Sequence, residues 1–138
     1  MAKKHVLVLG SGVAGLTTAL SAVDVGWDVT VLSKSRLDES NTRYAQGGVA
    51  AVTAAADTVE SHVADTLEAG AGISYVPAVE ALGAEGPGAV EQLIDRGVAF
   101  DEVDGELARG LEAAHSHARI LHAGGDATGW AIERALVE

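Results

Sequence analysis

"HVLVLGSGVAGL", His5 to Leu16, joins an apolar run to a Gly-rich turn and the start of an amphipathic segment. His5 to Leu9 is a Val-rich, largely apolar run that stops at a Gly-Ser-Gly turn. Such a run reads as a strand buried on both faces, the kind that parallel sheets use. From Val13 to Val25 the apolar positions Val13, Leu16, Leu20 and Val23 recur at helical spacing. Gly26 stands at the position just past the helix end, and Trp27 leads into a second strand, Asp28 to Leu32. Strand, turn, helix and strand together predict a parallel α/β sheet with a right-handed crossover through the first helix. The helices between Asp57 and Arg96 are expected to cover that sheet.

The turn itself carries a chemical reading. Gly10-Ser11-Gly12-Val13-Ala14-Gly15 matches the GxGxxG pattern between a strand and a helix. Gly10 permits the tight turn, Gly12 lets the backbone approach a pyrophosphate, and Gly15 lets helix and strand pack closely. The helix N-terminus offers unpaired N–H groups to phosphate, and the N–H groups of Gly10 and Gly12 are expected to face a shared space. The motif in this context points to dinucleotide binding. One position departs from the pattern. An acidic residue is expected about 20 residues on, at the end of the second strand, to hold ribose hydroxyls. Ser33 and Lys34 stand there instead. Ser33 is able to bond a ribose. Lys34 reads either as a partner for a 2′-phosphate or as an ordinary surface lysine.

Composition bounds the function classes. The chain has 138 residues, 48% hydrophobic and 21% charged, which describes one globular domain with a real core. A net charge of −11, with only 9 scattered basic residues, argues against nucleic acid as a partner. There is no cysteine, hence no disulfide, thiolate metal site or cysteine nucleophile. No apolar run reaches the roughly 18 residues that span a bilayer, so no membrane partner is expected. The basic start "MAKKHVLVLG" has too short an apolar stretch for a signal peptide, and a cytoplasmic location is expected.

Further along, Asp57 to Ala69 reads as a helix whose Asp57, Glu60, Asp65 and Glu68 form a solvated face. Two more helices are expected, Val76 to Leu82 and Pro87 to Arg96, the second opened by its proline. Asp104-Gly105 marks a tight hairpin. A last helix is expected from Ala127, capped by Asp126. His5 and His62 read as structural or exposed. His115, His117, His122 and Asp126 suggest a metal cluster only superficially, because no second carboxylate falls at a ligand spacing; no metal is expected.

"NTRYAQGGVAAV", Asn41 to Val52, follows a polar stretch from Ser33 without clear periodicity. A Rossmann-like start followed by a long polar loop ending in Ala-Gln-Gly-Gly resembles the flavoprotein family of fumarate reductase, succinate dehydrogenase and L-aspartate oxidase. Within it the L-aspartate oxidase branch is the most similar, through "VLSKSRLDESNTRYAQGGVAAV", "DTVESHVADTLEAGAGI", "EQLIDRGVAFD" and "LEAAHSHARILHAGGDATG". The resemblance implies FAD as cofactor, with the loop running along it to the isoalloxazine. It implies cofactor contacts from Gly10, Ser11, Gly12, Val13, Ala14 and Gly15, from Ser33 and Lys34, and from Asn41, Thr42, Arg43, Tyr44, Ala45, Gln46, Gly47 and Gly48. Asn41 stands where membrane-bound members carry the histidine that bonds the flavin, so FAD is expected to be held non-covalently.

The same resemblance implies the reaction. L-Aspartate gives a hydride from its α-carbon to flavin N5 and becomes iminoaspartate; oxygen or fumarate takes the electrons. The product feeds quinolinate formation in NAD biosynthesis, a link to quinolinate synthase. Glu112 matches the residue that orients the substrate ammonium, with the His115-Ser116 turn nearby. Leu111 stands where other members have Arg, and Ala113-Ala114 where a Gly pair is common; a solvated carboxylate remains the alternative for Glu112. The chain is expected to be the N-terminal part of an incomplete FAD-binding domain, residues 1–138. The proton-transfer Arg is then expected beyond Glu138, and the isolated chain to be inactive. A soluble fumarate reductase and a non-catalytic nucleotide-binding remnant stay open beside this reading.

Overall fold

The computed structural model describes residues 4–138; Met1, Ala2 and Lys3, with the start of the basic N-terminal run, lie outside the described residues. β1 (His5–Leu9), α1 (Val13–Asp24) and β2 (Asp28–Leu32) form the expected unit. β1 and β2 pair in parallel, His5 opposite Asp28 and Leu9 opposite Leu32. Gly26, at φ +81°, ends α1 in the left-handed conformation that glycine adopts without a Cβ clash.

The polar stretch after β2 contains a single 3₁₀ turn, Thr42–Tyr44, and ends at β3 (Val49–Ala50). Next come α2 (Val59–Ala69), α3 (Val76–Asp95), the hairpin β4 (Glu102–Val103) and β5 (Glu106–Leu107), then β6 (Arg109–Gly110), β7 (Ile120–Leu121) and α4 (Thr128–Val137). β7 is the middle strand of an antiparallel sheet between β3 and β6. The hairpin turns at Asp104-Gly105, both at positive φ, as the sequence predicts. The buried core joins Leu16 of α1, Val90 of α3, Ile132 and Leu136 of α4, and Ala51, Phe100 and Leu121.

Three expectations are corrected. α3 is one helix, and Pro87 lies inside it rather than opening a second. An internal proline costs about 3 kcal/mol, and tertiary contacts on both sides offset it. Gly83 packs against Val59 and Val63 of α2, where a Cβ would come within 2.9 Å of Val63, and Val90 is buried in the core. Second, α2 and α3 pack on each other, while the parallel pair is covered by α1 on one face, and α4 packs on α1 and the 3₁₀ turn. The polar inner face of α2 is the physical reason, as described below. Third, Asp126 does not cap α4. Ala127 is the N-cap without a side-chain bond, and the first-turn N–H of Gly129 donates to Ala45 O at 2.9 Å. Contact between α4 and the 3₁₀ turn is so close that a Cβ at Gly129 would collide with Thr42 O.

Candidate functional site

A groove of about 780 Å³ opens at the C-terminal ends of β1 and β2. This is where ligands bind in open α/β sheets. Gly10, Ser11, Gly12, Ser33, Lys34, Asn41, Thr42 and Tyr44 line it, together with Leu9, Leu32 and Glu39. The Gly-rich turn and the polar loop thus meet in one space.

Each glycine of the motif has its own geometry. Gly10 sits at φ +105°, a conformation that disfavours any side chain. A Cβ at Gly15 would collide with Gly10 O, so helix and strand approach as closely as the motif predicts. Gly12 differs. Its φ of −72° suits any residue, and a Cβ there would meet only Thr42 Oγ1 at 3.4 Å and Ser40 Oγ at 3.9 Å. Folding does not require glycine at that position.

One of the two N–H groups expected to face the groove does not. Gly10 N–H donates to Leu32 O at 2.8 Å and so extends the sheet instead of facing the groove. Val13 N–H donates to Thr42 Oγ1 at 3.0 Å. The N–H groups of Ser11, Gly12 and Ala14 find no acceptor among the described residues. Three unpaired donors at the N-terminus of a 12-residue helix are what an anionic group requires.

The loop is braced from several sides. Arg36 Nε and Arg43 Nη1 both grip Asp38, at 3.0 and 3.1 Å. Arg36 holds the Asp38 carboxyl below its usual range, and Asp38 in turn raises Arg36. Thr42 N–H donates to Ser40 Oγ at 3.1 Å. Tyr44 hydroxyl donates to Glu39 Oε1, and that carboxylate pushes the phenol up. The Ser33 hydroxyl is largely engaged: it accepts from Ser35 N–H and Ser11 Oγ and donates to Arg36 O. Arg43 turns out of the main groove into a neighbouring one with Trp130 and Glu133. Gln46 and Gly47 are exposed, whereas Gly48 is pressed against β7: a Cβ there would collide with Ile120 Cγ2 and come within 2.9 Å of His122 Nε2. Packing against β7 therefore already demands glycine at position 48.

The predicted substrate-side residues fall into two groups. Glu112 Oε1 lies 3.3 Å from His122 Nε2, and His122 in turn lies beside Gly48 at the end of the polar loop. Ser116 instead donates from its N–H and its hydroxyl to Asp65 Oδ2, at 2.7 and 2.8 Å. His115 Nδ1 lies 3.3 Å from Arg119 Nη1.

Arg119 is the centre of that second group, its side chain 1% exposed. It makes a bidentate pair with Asp57, Nε to Oδ2 at 2.8 Å and Nη2 to Oδ1 at 2.7 Å, and a further bond from Nη1 to Asp65 at 2.7 Å. Asp57 is held below its ordinary range chiefly by Arg119. Asp65 falls to about 2, mainly through the two Ser116 bonds and then Arg119. Burial pushes His62 down, and Arg119 adds to it. The expected solvated face of Asp57 and Asp65 is therefore an inward one; the paired guanidinium, together with the Ser116 bonds to Asp65, makes that burial tolerable. Sequence reasoning missed this pair, although Asp57, Ser61 and Asp65 recur every fourth residue. It also missed Glu133, whose carboxylate is buried with neither oxygen completing a hydrogen bond of good geometry. A charged residue within the apolar stripe Ile132–Leu136 was the available signal.

Similarity to known proteins agrees with this geometry. The chain is 54% identical over 134 residues to the L-aspartate oxidase of Streptomyces coelicolor, covering 96% of this chain and 23% of that one. In structure it is similar to the Mycobacterium smegmatis Sdh1 complex (31% identity, TM-score 0.88, 99% of this chain and 24% of that one). An E. coli quinol fumarate reductase is similar at 26% identity and a TM-score of 0.88, over 97% of this chain and 24% of that one. The chain thus spans about a quarter of the length of these relatives. The model of the FAD binding domain family matches residues 5–138, and by that match over nearly its whole length the chain belongs to this family of FAD-binding flavoproteins.

Proposed function

We propose that the groove at the ends of β1 and β2 holds the adenosine diphosphate half of FAD, non-covalently, and that residues 1–138 form the N-terminal part of the FAD-binding domain of an L-aspartate oxidase. The observation that carries the cofactor reading is the set of unpaired N–H groups at Ser11, Gly12 and Ala14, beside a glycine that folding does not require. The pyrophosphate is stabilised by these donors and by the positive end of α1. Ser33 and Lys34 line the ribose end, and Asn41, Thr42 and Tyr44 the wall opposite. From there the loop through Ala45, Gln46 and Gly47 leads toward the Glu112–His122 pair. Glu112, exposed and facing His122, orients the substrate ammonium through its negative charge. The His115-Ser116 segment is held beside it by Arg119 and Asp65.

FAD, when bound, would supply the hydride acceptor for the L-aspartate α-carbon, which, with loss of one proton from the amino group, would leave iminoaspartate, the electrons going on to oxygen or fumarate. The chain's own contribution is to bind, orient and fix the cofactor's position. The product then enters quinolinate formation in NAD biosynthesis, in the cytoplasm. A fumarate reductase reading is supported by the similarity to the E. coli enzyme, at 26% identity against 54% for the oxidase.

The test is spectroscopic. The purified chain is mixed with FAD, desalted, and scanned in the visible range. Retained oxidised-flavin bands are expected; a colourless protein contradicts the cofactor reading. Bleaching of the flavin by L-aspartate and not by succinate, followed in the full-length protein, separates the oxidase from the reductase.

A further inference from the structure

Nucleotide-binding α/β units place a carboxylate at the end of the second strand, where it accepts hydrogen bonds from ribose hydroxyls. Here that position is Ser33-Lys34. Lysine only donates, and the Ser33 hydroxyl is engaged with Ser11, Ser35 and Arg36. The groove nevertheless contains a carboxylate. It belongs to Glu39, and no other acidic side chain lines the groove among the described residues.

Glu39 reaches the groove because the chain doubles back after β2. Its N–H donates to Arg36 O at 3.1 Å, closing a turn, and the adjacent Asp38 is clamped by Arg36 and Arg43. Asp38 thereby faces away into its two guanidinium partners, while Glu39 is left to the groove. Tyr44 hydroxyl donates to Glu39 Oε1, which orients the carboxylate. Oε2 has no partner among the described residues. A half-buried, pre-oriented carboxylate with one free oxygen suits a ribose hydroxyl, since bonds to a carboxylate are about twice as strong as those between neutral groups.

We infer that Glu39, reaching the groove from the loop rather than from the strand end, is the ribose-hydroxyl acceptor of this nucleotide site. The inference rests on the FAD reading above. It also predicts that the site rejects a 2′-phosphate, which would meet this carboxylate, even though Lys34 lies in the same groove.

Titration of the 138-residue chain with ADP and with 2′,3′-dideoxy-ADP tests it. The wild-type chain is expected to prefer ADP by about tenfold or more, the worth of a charge-assisted bond. Glu39→Ala should bind both nucleotides alike, at the wild-type affinity for the dideoxy form. Circular dichroism of the variant verifies that it is folded; if it is not, Glu39→Gln, which retains the brace to Tyr44, must show a reduced preference. An unchanged preference in either folded variant overturns the inference, as does a wild-type chain that binds both nucleotides equally. Tighter binding of adenosine 2′,5′-bisphosphate than of 5′-AMP also overturns it, because the ribose end would then belong to Lys34. A wild-type chain that binds no adenine nucleotide overturns the FAD reading itself, and this inference with it.

Discussion

Ala114 sits at φ +68°, the left-handed region in which an L residue with a Cβ is strained. That conformation costs about 1–2 kcal/mol. Glycine would relieve it while losing about 0.5–1 kcal/mol of backbone freedom on folding. Ala114→Gly is therefore expected to stabilise the chain by about 0.5–1 kcal/mol, read as a higher denaturant midpoint at unchanged slope. A lower midpoint would show that the Ala114 methyl contributes more than its strain costs. Glu133 makes a second case. Burial raises its carboxyl above the ordinary 4.5, with Ser40 and Arg43 opposing and Asp38 adding to the shift. A raised folded value stabilises the chain below pH 4.5 and is progressively lost as pH rises through it. Glu133→Met removes two buried, unbonded oxygens at similar volume. It should raise stability by about 1–3 kcal/mol at pH 7, a gain that shrinks in thermal melts below pH 4.5. Both sites show what sequence conveys at this scale. The motif glycines were legible because their roles are local, whereas the environment of Glu133 is made by Ser40 and Arg43, ninety residues away.

At the scale of elements, β1, α1 and β2 were legible because periodicity and a terminal glycine define each of them locally. α2 was legible as a helix, but not its orientation. Periodicity reports that a helix has a polar face; it does not report that Arg119 will cover that face. Nor could Pro87 signal that its helix continues, since the compensation comes from Val59, Val63 and the core around Val90. The candidate groove was legible on its strand side and on Asn41, Thr42 and Tyr44, but not in Arg43, which pairs with Asp38 instead. Asp57→Ala leaves Arg119 buried without its bidentate partner, which is expected to destabilise the fold by about 3–5 kcal/mol in chemical denaturation. A loss under 1 kcal/mol, the range of a surface pair, would contradict the buried pairing. The same group sets acid stability. The lowered carboxyls of Asp57 and Asp65 stabilise the chain above pH 3.8 and lose their contribution as pH falls toward about 2, the value of Asp65. Acid unfolding should therefore concentrate in that window, and Asp65→Asn should flatten it.

At the scale of the whole molecule, the parallel pair has one face under α1 and the other uncovered among the described residues. Leu7, Leu9 and Leu32 are 55%, 72% and 59% exposed on that open face. A contiguous apolar surface of this kind favours association. Sedimentation velocity is expected to show concentration-dependent self-association, which Leu7→Lys reduces; a monomer at all concentrations would argue against it. No helix among the described residues is long and apolar enough to cross a membrane.

Gly12 bears most directly on FAD binding in the groove beside the Gly-rich turn, because the fold tolerates a methyl group there and a pyrophosphate against the backbone would not. Calorimetric titration of FAD into the wild-type chain and into Gly12→Ala is the decisive measurement. One-to-one binding by the wild type is predicted, weakened at least about tenfold in Gly12→Ala, with the two unliganded chains melting alike. Equal FAD affinity in the two chains, or no binding by the wild type, would contradict the account.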